Sequence, residues 1–126
     1  MELLITLVII GILASIALPH YQHYILKSNR QVALADLLEI QLHEERYYSK
    51  HRTYTDSFKD LNLPLSHREY WFYITLYSHN AYLVQAEPFT KSRQENDVED
   101  NTKCDLLSLN HQGLKRPSIC WGHRLA

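Results

Sequence analysis

The sequence predicts an α+β chain. One long N-terminal helix, apolar in its first half and amphipathic in its second, packs on a small antiparallel sheet of three or four strands. Three observations carry this. Leu3 to Leu18 is uncharged and apolar all round, with Glu2 before it and Pro19 after it. Residues 33–48 place apolar side chains at three- and four-residue steps. Tyr70–Tyr77 and Ala81–Glu87 are rich in aromatic and β-branched residues and flank the short turn Ser78-His79-Asn80, the pattern of a hairpin. In 126 residues the natural division is one long segment, 1–24, and one compact domain, 25–126.

The first element is the apolar run. At 1.5 Å per residue it covers about 24 Å of a bilayer core about 30 Å thick. A buried core helix would need a wrapping on every side, which the remaining chain is too short to supply, and the run has no polar face to turn to water. A cleaved signal peptide would need a basic start, and here an acid stands in its place. The segment is therefore a membrane or helix-bundle element. Glu2 is either an end group reaching the interface or a buried acid awaiting a cation.

Past Pro19 the helix continues to about Lys50. Ala33, Leu34, Leu37, Leu38, Gln41, Leu42, Glu45 and Tyr48 form its packed stripe, widened by Ile40 and Tyr47. Lys27, Arg30, Asp36, Glu39, His43, Glu44 and Arg46 are assigned to the opposite, solvated face. Gly11 to Pro19 is the stretch where the helix is expected to kink or loosen, since Gly costs about 1 kcal/mol and Pro about 3 kcal/mol inside a helix.

Residues 51–69 read as a loop whose Tyr54, Phe58 and Leu61 tuck under the core, with a turn at Leu63-Pro64-Leu65-Ser66. The hairpin follows and stops at Pro88. Phe89–Lys103 is polar and carries Glu95, Asp97, Glu99 and Asp100, so it reads as a solvated loop. Cys104–Asn110 alternates well enough for a third strand, turned at Gln112-Gly113, before Leu114–Trp121. Three antiparallel strands on an amphipathic helix meet the minimum for a stable sheet.

Net charge is −1, so no global field draws the chain to nucleic acid or anionic lipid. The sequence holds no nucleophile elbow, paired-histidine zinc helix or Gly-rich phosphate loop, and no enzyme activity or cofactor is expected. His20 and His23 lie one helical turn apart, but two ligands do not make a metal site. The acids of 95–100 lack the spacing and Gly of a known calcium loop. No metal is expected.

The run from Glu2 through Gly11 to Pro19-His20-Tyr21 closely resembles the N-terminal helix of type IV pilins and the related type II secretion pseudopilins. More sparsely, Tyr47-Tyr48, Tyr54, Ala86-Glu87-Pro88, Gln94, Asp97, Cys104, Leu109, Gly113 and Cys120-Trp121 are similar to the minor, PilE-like pilins. The resemblance implies the pilin fold, with a C-terminal disulfide loop, and an assembly role for Glu2, Gly11 and Pro19. Glu2 would neutralise a neighbouring subunit's N-terminal amine. The family's precursors carry a basic leader ending in Gly, which Met1-Glu2 does not provide. The expectation is a start placed too late or a truncated N-terminus, with prepilin peptidase a partner only of a precursor that has the leader. Lys27 and Arg30 behind the apolar run would pull that end into the cytoplasm, a bias that a basic leader would reverse.

The same resemblance puts residues 25–126 outside the cytoplasm. There Cys104 and Cys120 would form a disulfide rather than remain two buried thiols. The implied function is a structural subunit of a type IV pilus. It would be held in the inner membrane before assembly, then packed with other pilin subunits through its helix, in adhesion, twitching motility or DNA uptake. The alternatives are a DNA-binding pilin of a competence pilus and a type II secretion pseudopilin; the cysteine pair and Cys120-Trp121 lean away from the latter. Some pilins of this family serve DNA uptake. Lys103, Lys115, Arg116 and Arg124, with His123, are the candidate phosphate contacts, and Trp121 and several Tyr the candidate stacking groups. Ordinary surface charge is the other reading of those bases.

Overall fold

A computed structural model of the chain describes residues 2–63 and 69–122. Helix α1 spans Glu2–His51 without a break, through Gly11 and through Pro19. At 50 residues it is about 75 Å long. The sheet has four strands in the order β1-β2-β5-β6, all antiparallel: β1 Tyr70–Ser78, β2 Ala81–Pro88, β5 Leu107–Asn110 and β6 Lys115–Arg116. A separate ribbon pairs β3 Val98–Glu99 with β4 Thr102–Lys103. Short 3₁₀ turns occupy Arg93–Asn96 and Ser118–Trp121. The expected α+β architecture of one long helix on a small antiparallel sheet is the one observed.

The two halves of α1 differ in what surrounds them. Residues 2–25 are exposed throughout, and Leu3 is 85% exposed. The first buried side chain is Arg30. From there Ala33, Leu34, Leu37, Ile40 and Glu44 lie on the sheet. They meet the inward residues of three strands, whose alternation follows the pleat. Phe72 pairs with Ala86 and Ala86 with Leu107, while Ile74 pairs with Val84 and Val84 with Leu109. All six of these strand residues are buried. Tyr54, Leu61 and Phe58 pack on this core as expected, Tyr54 stacking on Tyr48 with ring centroids 4.6 Å apart.

Several sequence readings need correction. Leu38 and Leu42, placed in the packed stripe, are 42% and 50% exposed, and Glu45 is also exposed. Arg30 and Glu44, placed on the solvated face, are buried. The buried stripe runs through Arg30, Ala33, Leu34, Leu37, Ile40 and Glu44, and Leu38 and Leu42 fall beside it rather than on it. Phe89–Lys103 is not a solvated loop: it contains the first 3₁₀ turn and the β3–β4 ribbon, and Gln94 and Asp97 in it are buried. The third strand of the sheet begins at Leu107 rather than Cys104, and β6 adds a fourth. The turn at Gln112-Gly113 is as read, with Gly113 at φ 79° and Asn110 Oδ1 accepting from Gln112 N and Leu114 N at 3.0 and 2.8 Å. Pro64, Leu65 and Ser66 lie outside the described residues.

Candidate nucleic-acid interface

Lys103 ends β4, Lys115 and Arg116 form β6, and the Cys104–Cys120 disulfide ties the two elements together with the Cα atoms 5.8 Å apart. The three bases therefore line one open groove of about 740 Å³, with Asp105, Ser108, Leu114 and Ser118 among its other walls. Ser108 stands opposite Arg116 and Leu109 opposite Lys115 in the β5–β6 register, so the edge of the sheet forms the groove floor. Arg124 and His123 lie outside the described residues.

The bases differ in their present partners. Lys103 Nζ lies 2.9 Å from Asp105 Oδ2, and that bond raises its pKa. Lys115 Nζ sits 5.2 Å from the centroid of the Trp121 ring, within cation–π range. Trp121 Nε1 donates to Arg116 O at 3.4 Å, which fixes the indole beside β6. Among the described residues no side-chain partner engages the Arg116 guanidinium. Among the described residues the arrangement offers one unpartnered guanidinium, two lysines with partners of their own and one half-buried indole. A phosphate can displace Asp105 from Lys103, because that ion pair is solvent-exposed and weak.

A second set of residues holds this region onto the helix, and the sequence reading missed it. Arg30 Nη1 donates to Asp97 Oδ2 at 3.0 Å, and Nη2 donates to Glu99 Oε2. Lys27 Nζ reaches Glu99 Oε1 at 3.2 Å. Gln94 Nε2 donates to Leu26 O at 2.8 Å and Asn29 Nδ2 donates to Gln94 Oε1 at 3.2 Å. Burial pushes the Asp97 carboxyl up, partly offset by the Arg30 charge. Partial burial acts the same way on Glu99, but its bonds to Arg30 and Lys27 outweigh it and hold that carboxyl below its usual range. Cys104 N then donates to Asp97 O at 2.9 Å, so the buried network passes directly to the disulfide. One signal was available. Arg30 is in phase with Ala33, Leu34 and Leu37 at three-, four- and seven-residue steps, and only its charge argued against burial.

Glu2, Gly11 and Pro19 all lie on the exposed half of α1 and do not line the basic groove. A Cβ added at Gly11 would meet nothing within 4 Å, so within one subunit there is room for a larger residue. His20 and His23 are exposed on α1. Among the described residues no group of three or more His, Cys, Asp or Glu is disposed to hold a metal ion, and Asp97, from the acidic stretch, is engaged with Arg30.

A helix long and apolar enough to cross a membrane, a four-stranded antiparallel sheet laid on its second half and a disulfide-closed C-terminal segment together define a pilin-like subunit. A family model described as "Type IV minor pilin ComP, DNA uptake sequence receptor" matches residues 19–108, and the chain belongs to that family. No curated protein matches the chain. The chain is thus a type IV minor pilin, of a family that is structural rather than enzymatic. The matched span includes Pro19, Arg30, Asp97, Lys103 and Cys104, and stops before Lys115, Arg116 and Cys120.

Proposed function

We propose that this minor pilin binds DNA for uptake through the basic groove of Lys103, Lys115 and Arg116, with Arg124 as a further contact. The observation that carries the reading is the juxtaposition of the three bases and Trp121 in one groove beside the disulfide, in a chain of a family described as a DNA uptake sequence receptor. The bases neutralise phosphates and release counterions, while the indole, once Lys115 leaves it, is available to stack on a base. The chain carries net charge −1, so attraction is local to this groove.

In the same reading, residues 1–24 form the segment that sits in the inner membrane before assembly and in the filament core afterwards, and residues 25–126 form the pilin globular domain on the periplasmic side. Assembly with other pilin subunits runs through the helix. There Glu2 neutralises a neighbour's N-terminal amine, and Gly11 and Pro19 are the points at which the helix can loosen. The apolar run and its exposure along residues 2–25 support this.

DNA binding is tested with the whole chain in detergent micelles, by titration over a range of salt concentrations. Affinity is expected to fall steeply with salt, and Lys115→Glu and Arg116→Glu each to weaken binding and reduce the salt slope by about one. Absence of binding at low salt overturns the receptor reading and leaves the filament subunit in place.

A further inference from the structure

A second cleft lies where α1 leaves the apolar run. It is lined by Gln22, Ile25, Leu26 and Asn29 from the helix, Ser92, Arg93, Gln94 and Asn96 from the first 3₁₀ turn, and Glu69, and it encloses about 630 Å³. Three features set it apart. It holds one cation and one anion, Arg93 and Glu69, on a single concave surface. No side-chain partner engages the exposed Arg93 guanidinium among the described residues. Ser92 Oγ is buried without a hydrogen-bond partner, so one polar atom of the turn is left unsatisfied.

Its height along the helix says what it faces. This step rests on the membrane-anchor reading above. A hydrocarbon core about 30 Å thick takes roughly 20 helical residues, and the headgroup layer on one side about four more. Counted outward from the end of the apolar run at Leu18, the headgroups reach about Gln22, the first helix residue of the cleft. Tyr21 and Tyr24, 63% and 69% exposed, mark the same level, where tyrosine rings settle at a membrane–water boundary.

We propose that this cleft takes the zwitterionic headgroup of a membrane phospholipid, a phosphate carrying a primary amine. The Arg93 guanidinium receives the phosphate, the Glu69 carboxylate receives the ammonium, and Ser92 Oγ donates to a phosphate oxygen. Ile25 and Leu26 face the glycerol end. A purely anionic headgroup meets Glu69 as a like charge, and a quaternary amine has no N–H to donate to it. The site would hold the globular half against the bilayer until the subunit is extracted into the filament.

The test uses the full chain reconstituted in vesicles of phosphatidylcholine mixed with either phosphatidylethanolamine or phosphatidylglycerol. It is then released into detergent and weighed with its retained lipid by native mass spectrometry. Phosphatidylethanolamine is expected to be retained about tenfold over the other two, the size of one charge-assisted contact. Arg93→Glu and Glu69→Lys should each abolish the preference, with an unchanged circular dichroism spectrum showing that the variants fold. Equal retention of all three lipids, or preference for phosphatidylglycerol, overturns the proposal. So does retention of acyl-free phosphoethanolamine as tight as that of the lipid, which would make the ligand a soluble one. Extraction of the chain from vesicles by alkaline carbonate would overturn the membrane reading and this site with it; firm integration without headgroup preference overturns the site alone.

Discussion

The packed half of α1 carries a buried charge near each end, and the two are treated differently. At Arg30, nearer the apolar run, the guanidinium meets Asp97 and Glu99, and among the described residues only its Nε is left without a partner. At Glu44, nearer the end of the helix, the carboxylate has no cation among the described residues. Thr55 N donates to Oε2 at 3.2 Å, Oε1 has no partner, and Glu45 and Asp56 add like charge. Burial, the larger cause, pushes the Glu44 carboxyl up to about 7, and only the Thr55 bond opposes it. The first junction is a permanent clamp between the helix and the segment leading to the disulfide. The second joins the helix to the loop at 52–63 and titrates near neutral pH. Burial alone does not make a charged residue stabilising; its partners decide.

The comparison can be broken in three places. The largest effect is expected for Arg30→Ala, which leaves Asp97 buried without its cation. Urea denaturation should report a loss of about 3–5 kcal/mol, and Arg30→Met combined with Asp97→Leu should recover most of it. If the single variant costs no more than a surface substitution, the clamp is illusory.

Glu44→Gln is next. The folded pKa, about 7, lies above the ordinary 4.5. The stability linked to Glu44 is therefore fully present below pH 4.5 and is lost as pH rises towards 7. Gln keeps the acceptor for Thr55 N and carries no charge. At pH 8 the variant should be more stable than the parent by on the order of 2 kcal/mol, with the gap closing at acid pH. Parallel pH profiles for the two proteins would remove the distinction between the junctions. The smallest effect belongs to Leu42→Gln. That side chain is half exposed, and the change should stay within about 0.5 kcal/mol although the residue is a leucine on an apolar stripe.

What the sequence made legible follows from local signals. The helix and the β1–β2 hairpin are long, periodic and sharply bounded, so their ends fall within a residue or so of the reading. The 89–103 segment was opaque because its order is not local. Gln94 and Asp97 are buried by partners 65 to 68 residues away in sequence, and no apolar periodicity marks them. Arg30 and Glu44 were misassigned for a related reason: charge outweighed phase, although the phase was right. The groove was half legible. The basic residues were picked out, but what brings Lys103 to Lys115 and Arg116 is the β5–β6 pairing together with the cross-link to β4, and neither spacing nor charge predicts that pairing.

The cross-link also decides how the groove responds to force. In the proposed DNA-binding reading, a pull between α1 and DNA held at Lys115 and Arg116 would load the chain from the helix side, and the segment between Cys104 and Cys120 is covalently short-circuited. The 16-residue separation cannot lengthen while the bond stands. Stretching the chain between its helix and its C-terminus should therefore yield a contour gain about 50 Å shorter in the oxidised protein than after reduction, read in an optical trap. The two walls of the groove, Lys103 on one and Lys115 with Arg116 on the other, then stay within reach of each other under tension that would draw an unbridged segment straight.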